Sequence, residues 1–178
     1  MKSIWTLLLL IGIFPKLFGQ DIENLEDKLT RNELTVHEKI ETLNLLSRGL
    51  TFINPIKAVT YANEALRLST ETDNQVGIAY AYRNLSNSYS YNESYFISME
   101  YLQRAMDIFS NIRDSVGIAN CYISLGHTYR GLQNRGEEIK YNKMSFDLFT
   151  RLKIIERIGV TSHNLGESYL NNGDIEKS

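Results

Sequence analysis

Val116-Gly-Ile-Ala-Asn-Cys-Tyr-Ile-Ser-Leu-Gly-His-Thr-Tyr129 is the stretch on which the fold turns. Ile118, Tyr122, Leu125 and Tyr129 are spaced 4, 3 and 4 along it, which puts them on one face of an α-helix. Forty residues upstream, Val76-Gly-Ile-Ala79 repeats its opening without a gap. Forty residues downstream, Ile158, Leu165 and Tyr169 repeat its apolar stripe. Self-similarity at a fixed period is the mark of a stacked-repeat protein.

Working outward, the same period organises most of the chain. Leu45, Leu85, Leu125 and Leu165 form one column of predicted core, and Tyr89, Tyr129 and Tyr169 form another, with Gly49 in the first unit. Tyr61, Tyr101 and Tyr141 form a third column. Ala65, Ala105 and Ser145 follow, and then Leu68, Ile108 and Leu148. Each unit therefore predicts two helices. In the third unit a polar break at Leu132–Gly136 separates them, and Ile139, Tyr141, Ser145, Leu148, Phe149 and Leu152 carry the second. Asn54-Pro55 sets a capping side chain before a proline at the first helical position, and Thr35-Val-His-Glu38 has the spacing of a capping box. Asn171-Asn-Gly-Asp174 predicts a turn whose aspartate caps a further helix. A single helix pair cannot bury its stripe alone, so pairs stack, and small residues such as Ala58, Ala65, Ala105 and Ser145 let neighbouring axes approach. The predicted fold is all-α, a solenoid of antiparallel helix pairs.

The ends and the charge add constraints. Lys2, the apolar run Ile4–Phe14, Pro15 and the small Gly19 before Gln20 have the layout of a secretory signal peptide cleaved after Gly19. The run is about half the ~20 apolar residues that a membrane span requires. No cysteine stands near the cleavage point, which excludes a lipoprotein. The expectation is an exported protein, on the periplasmic or extracellular side of a bacterial membrane. Loss of Lys2 and Lys16 leaves 17 basic against 21 acidic residues, a net charge of −4. With no Lys/Arg run, nucleic acid is not an expected partner. Cys121 is the sole cysteine, so no intrachain disulfide forms; its column holds Ala81 and Thr161, a small-residue packing position. The expected layout is a signal peptide at 1–19, an N-terminal cap segment at 20–35 with Ile22, Leu25 and Leu29 on one face, and units at 36–75, 76–115, 116–155 and an incomplete 156–178.

These residues resemble a known family. Leu125-Gly126-x-x-Tyr129 and Leu165-Gly166-x-x-Tyr169 resemble the Leu-Gly-x-x-Tyr core of tetratricopeptide repeats, and Tyr122 stands where that motif prefers Trp. Lys57–Leu68 resembles the motif's second helix, and Gly173–Ser178 the opening of another. The resemblance implies a right-handed α-α superhelix that binds peptides or partner proteins in its concave groove. Two features depart from it: the period is forty where the motif has thirty-four, and the closing proline is missing. Longer variants of this kind resemble bacterial signalling arrays standing ahead of a membrane span and an output domain. Ser178 falls in the first turn of a second helix, so the expectation is either a continuation of the same chain, membrane-anchored, or self-association through the uncovered face around Leu165 and Tyr169.

The inward columns set the rotation of each first helix and hence its groove face. The expected groove residues are Tyr80, Arg83 and Asn87, with Tyr91 just beyond, then Asn120, Ile123, His127 and Arg130, and lastly His163 and Glu167 beside Val160 and Leu170. Aromatic, amide and cationic groups together suit an extended peptide. Arg83 and Asn87 resemble half of the family's carboxylate clamp, but Val160 and Asn164 replace its later cation. His127, His163 and Glu167 have partial metal-ligand spacing with nothing to complete it, and His37 has no expected partner. No nucleophile motif or phosphate-binding glycine loop is present, so neither catalysis nor a cofactor is expected. Two functions fit: an exported scaffold that binds protein or peptide, and the extracytoplasmic sensor region of a longer membrane signalling protein.

Overall fold

The computed structural model describes residues 13–31 and 34–173, with side chains from residue 21 onward. Among them are eight α-helices: α1 Ile13–Thr30, α2 Val36–Leu50, α3 Pro55–Glu71, α4 Gln75–Tyr91, α5 Tyr95–Asn111, α6 Ser115–Gly131, α7 Arg135–Leu152 and α8 Ile155–Asn172. The expected turn cap Asp174 and most of the expected signal peptide lie outside the described residues. α1 runs unbroken past Gly19 and Gln20, and Pro15 sits in its first turn, where no helical bond is lost. None of the described helices is long and apolar enough to cross a membrane.

The described residues form an all-α solenoid of consecutive helix pairs, α2–α3, α4–α5 and α6–α7, followed by α8. The first helices start one residue ahead of the expected boundaries at 76, 116 and 156. The break predicted at Leu132–Gly136 contracts to Leu132–Asn134, because Asn134 caps α7 by accepting the Glu137 amide at 3.2 Å. The expected caps form: Asn54 accepts the Lys57 amide at 3.1 Å, and Thr35 with Glu38 makes the capping box.

A shorter beat than the sequence columns lies beneath the pairs. Asp73, Glu93, Arg113, Gln133 and Lys153 have φ between 51° and 59°, one residue in every twenty. Each is the left-handed residue that ends a helix. The next amide closes the turn onto the carbonyl five residues back: Asn74 to Ser69 at 2.8 Å, Ser94 to Tyr89 at 2.9 Å, Asp114 to Phe109 at 2.8 Å. Helices of seventeen residues such as α4, α5 and α6 joined by three-residue turns account for the forty-residue period.

The core lies between successive pairs. Ala79, Leu102, Ala105, Phe109, Cys121 and Leu125 form its centre. Cys121 is fully buried, as are Ala81 and, within 1%, Thr161, which bears out the small-residue column. Burial pushes the Cys121 thiol up to about 12, so it stays protonated. Gly117 lies against the Phe109 ring, where a Cβ would collide, and this holds α6 close to α5.

The tyrosine columns form paired stacks on the flank of this core. Tyr89 stacks on Tyr101 with centroids 5.5 Å apart, and Tyr129 on Tyr141 at 5.4 Å. The first unit has Gly49 in that place, so the Tyr61 hydroxyl donates instead to Glu26 of α1 at 2.8 Å. Burial and that carboxylate push its pKa up to about 12. One expected core residue is corrected: Leu45 is 42% exposed, while Leu43, Leu46 and Leu50 are buried. Leu125 packs back on the preceding helix pair, whereas before α2 the described residues hold only the single helix α1.

Candidate functional site

The first helices α2, α4, α6 and α8 share one wall of the solenoid and enclose a cavity of about 880 Å³. Of the residues expected to face it, Arg83, Asn87, Tyr91, Asn120, Ile123, His127 and Arg130 line it. Tyr80 lines an adjoining cavity of about 350 Å³, which Arg83 joins to the larger one. Helical geometry explains this placement. The residues that stack into the core leave the others on the opposite face at spacings of three and four.

On α8 the structure selects different side chains. Arg157, Val160 and Asn164 line the cavity, whereas His163 and Glu167 lie outside its lining. His163 is paired with Glu167 at 3.6 Å, and its side chain is 73% exposed. His127, His163 and Glu167 therefore do not converge. No group of three His, Cys, Asp or Glu residues stands in position for a metal among the described residues. His37 does have partners, Glu41 at 3.4 Å and the Asn74 amide at 3.3 Å.

Arg130 is the larger correction. Its Nε donates to Glu138 Oε1 at 2.7 Å and one terminal nitrogen to Glu167 Oε2 at 3.1 Å. Glu138 is fully buried and also receives Arg135 at 2.9 Å and the Ser168 hydroxyl at 3.1 Å. Burial alone would raise its pKa, but the bonds from Arg130, Arg135 and Ser168 outweigh that and hold it below the ordinary carboxylate range. Arg130 thus braces α6, α7 and α8 and brings no free charge to the cavity. His127, on the open floor nearby, is held below the usual imidazole range by the surrounding protein wall first and by Arg130 second.

Arg83 departs from expectation in the other direction. The sequence placed it facing the groove, and it does line the cavity, but it is only 7% exposed, and burial lowers its proton affinity. Its guanidinium carbon stands 5.8 Å from the centroid of Tyr80, whose ring meets Phe109 edge-on at 5.2 Å. At the rim, Phe52 and Tyr91 meet edge-on at 5.3 Å and are 69% and 50% exposed. Sequence reasoning missed Phe52, Arg48 and Arg157. Phe52 lies in the turn after α2 and Arg157 in the first turn of α8, away from the repeating columns. The cavity therefore offers amides from Asn87, Asn120 and Asn164, an aromatic rim and arginines at its base.

No protein-family model matches this sequence, and no curated protein matches it either. Solved structures do resemble it. BtubC (BKLC) from P. vanneervenii is similar with a TM-score of 0.68 at 18% identity, over 97% of this chain and 73% of that one. A Rap protein, crystallised with Competence and Sporulation Factor, is similar with a TM-score of 0.82 at 19% identity, over 94% of this chain. This chain spans 48% of the length of that protein. At such identities the likeness establishes the helical-repeat fold and nothing finer.

Proposed function

We propose that this chain is a binding module whose cavity across α2, α4, α6 and α8 receives a protein segment or peptide, and that it acts by binding, without catalysis or cofactor. The observation that carries this reading is the composition of the cavity. Side-chain amides suit a peptide backbone, and the Phe52–Tyr91 rim offers large apolar surface. A volume of about 880 Å³ lies within the usual range of ligand sites. The similar Rap protein is itself held with a factor, which agrees with a partner of this class. The unpaired arginines, set in a protein of net negative charge, favour an acidic segment or chain terminus.

Export completes the proposal: Lys2, the apolar run Ile4–Phe14 and the small Gly19 before Gln20 support a secretory leader, and with it a site of action outside the cytoplasm. The forty-residue resemblance supports a second reading, the extracytoplasmic sensor of a longer signalling chain, which reading the gene beyond codon 178 separates from the first. The test of the cavity is selection from a random peptide library on the purified chain. Peptides should be enriched on the native protein. They should be lost from a triple variant, Asn87→Ala, Tyr91→Ala and Asn164→Ala, that melts as the native protein does, since central truncations cost about 1–3 kcal/mol of binding each. Equal enrichment on both proteins would place binding elsewhere.

A further inference from the structure

Arg83 is built into the cavity and left without a counter-ion. It is more than nine-tenths buried, yet no carboxylate lies within ion-pair distance of it among the described residues, and its Nε has no hydrogen-bond partner. The other buried ion among the described residues, Glu138, is met by two guanidinium groups. Burying an unpaired charge is strongly unfavourable, so a fold that retains one points to a group from outside that completes it.

Two more arginines converge on the same space. Arg48 from α2 and Arg157 from α8 line the cavity with Arg83, and both act on it electrostatically. Neither makes an ion pair among the described residues; Arg157 rests over the Phe149 ring at 6.0 Å. Arg130 is already matched by Glu138 and Glu167, and His127 is held toward its neutral form. Glu93 is the carboxylate in the lining of the larger cavity, and Glu41, in the smaller, is paired with His37. Within the larger cavity the three unpaired guanidiniums therefore outweigh Glu93 by two charges, and across both cavities they outweigh Glu93 and Glu41 by one.

We propose that the junction of α2, α4 and α8 is a receptor for a phosphate monoester, with the dianionic group seated between Arg48, Arg83 and Arg157. This rests on the reading of the cavity as a binding groove, and it names the chemistry that enters deepest. A phosphate monoester carries a charge of about −1.5 to −2 and three acceptor oxygens, which guanidinium forks engage bidentately. A single carboxylate supplies one charge and leaves a guanidinium unmet.

Inorganic phosphate and acetate, each titrated into the purified chain at constant ionic strength with melting as the readout, test the proposal. Phosphate should raise the melting temperature with saturation and act at about tenfold lower concentration than acetate. Arg83→Met should lose the phosphate response and melt higher than the native protein in phosphate-free buffer, because the buried charge is gone. Arg157→Gln, at a half-exposed position, provides a second variant and should weaken the response about fivefold. Titration with a phosphoserine peptide and with glycerol phosphate separates the two sources of the group. Whichever binds more tightly than inorganic phosphate is the one the site is shaped for. The proposal is overturned if phosphate has no effect on the native protein, if acetate matches it, if Arg83→Met keeps the response, or if neither ester exceeds inorganic phosphate. Because the probes are small anions, a negative result leaves the peptide-library outcome standing on its own.

Discussion

The second and third helix pairs share one backbone and fill the same buried slot in two ways. Ser98 in α5 and Glu138 in α7 stand forty residues apart, and both are fully buried. Around Ser98 the contacts are neutral: Ser86 at 2.9 Å, Thr128 at 3.1 Å, and Thr128 in turn to Ser90 at 3.2 Å. Around Glu138 the equivalents of Ser90 and Thr128 are Arg130 and Ser168, and both bond the carboxylate. The remaining positions change in step. Ser86 becomes Gly126 and Leu102 becomes Asn142, whose amide occupies the room beside Gly126 and donates to Ser168 at 2.7 Å. Both sets tie a pair to the first helix that follows it. The comparison teaches that the slot demands satisfied polarity, not a particular charge, and that a charged solution requires its neighbours to change together.

Glu138→Ala should produce the largest effect. It removes at once the buried acceptor shared by Arg130, Arg135 and Ser168, and breaking such a buried pair costs about 3–5 kcal/mol, measurable by urea unfolding. Its pH dependence has a definite sign. Because the folded pKa of Glu138 lies below its unfolded value, its contribution is present above the ordinary carboxylate range and disappears as pH falls through the folded value. The variant should lack that part of the acid-induced loss. A drop under about 1 kcal/mol would mean that the ion cluster is ornamental and the comparison empty.

Copying the second pair into the third sharpens the point. The quadruple variant Gly126→Ser, Arg130→Ser, Glu138→Ser and Asn142→Leu should lie within about 2 kcal/mol of the native protein, far closer than Glu138→Ala alone, since coupled positions do not add. Unfolding no better than the single variant would show that the two solutions are not interchangeable. Ser98→Ala should have the smallest effect, about 1–2 kcal/mol, because the hydroxyl relay loses its two bonds to Ser86 and Thr128 but no charge is left bare. A loss as large as that of Glu138→Ala would erase the distinction between the two pairs.

The columns at Leu85, Leu125, Tyr89 and Tyr129 made the helix pairs legible, because core packing imposes a regular constraint on every unit. The rotation they set placed most of the cavity residues on α4 and α6 correctly. What stayed hidden depends on contacts between units. Glu138 stands beside Glu137 in a polar run, and nothing local distinguishes the buried carboxylate from the solvated one. Arg83 occupies a groove-facing position, and its burial follows only once α2, α6 and α8 close around it. Leu45 sits in the right column and is exposed because, among the described residues, only the single helix α1 precedes α2. α8 was read by projecting the register of α6, and that projection favoured His163 over Asn164.

The five left-handed turn residues, one every twenty along the chain, give the array a pitch that is independent of what its helices pack or bind. A sixth, Gly173, with φ 85°, falls on the same beat, but glycine is not required: at the other five aspartate, glutamate, arginine, glutamine and lysine all serve. The turn is therefore written in backbone geometry, and natural variation is free to recolour its side chains. Because successive helices face opposite ways, the smallest cassette that can be removed or copied without breaking phase is two beats long. Residues 76–115 form such a cassette with a silent seam: excising them joins Gln75 to Val116, and the chain still reads Val-Gly-Ile-Ala across the join. An architecture of this kind grows or shrinks by whole strokes, and its reach toward a partner can lengthen while every existing junction stays as it was.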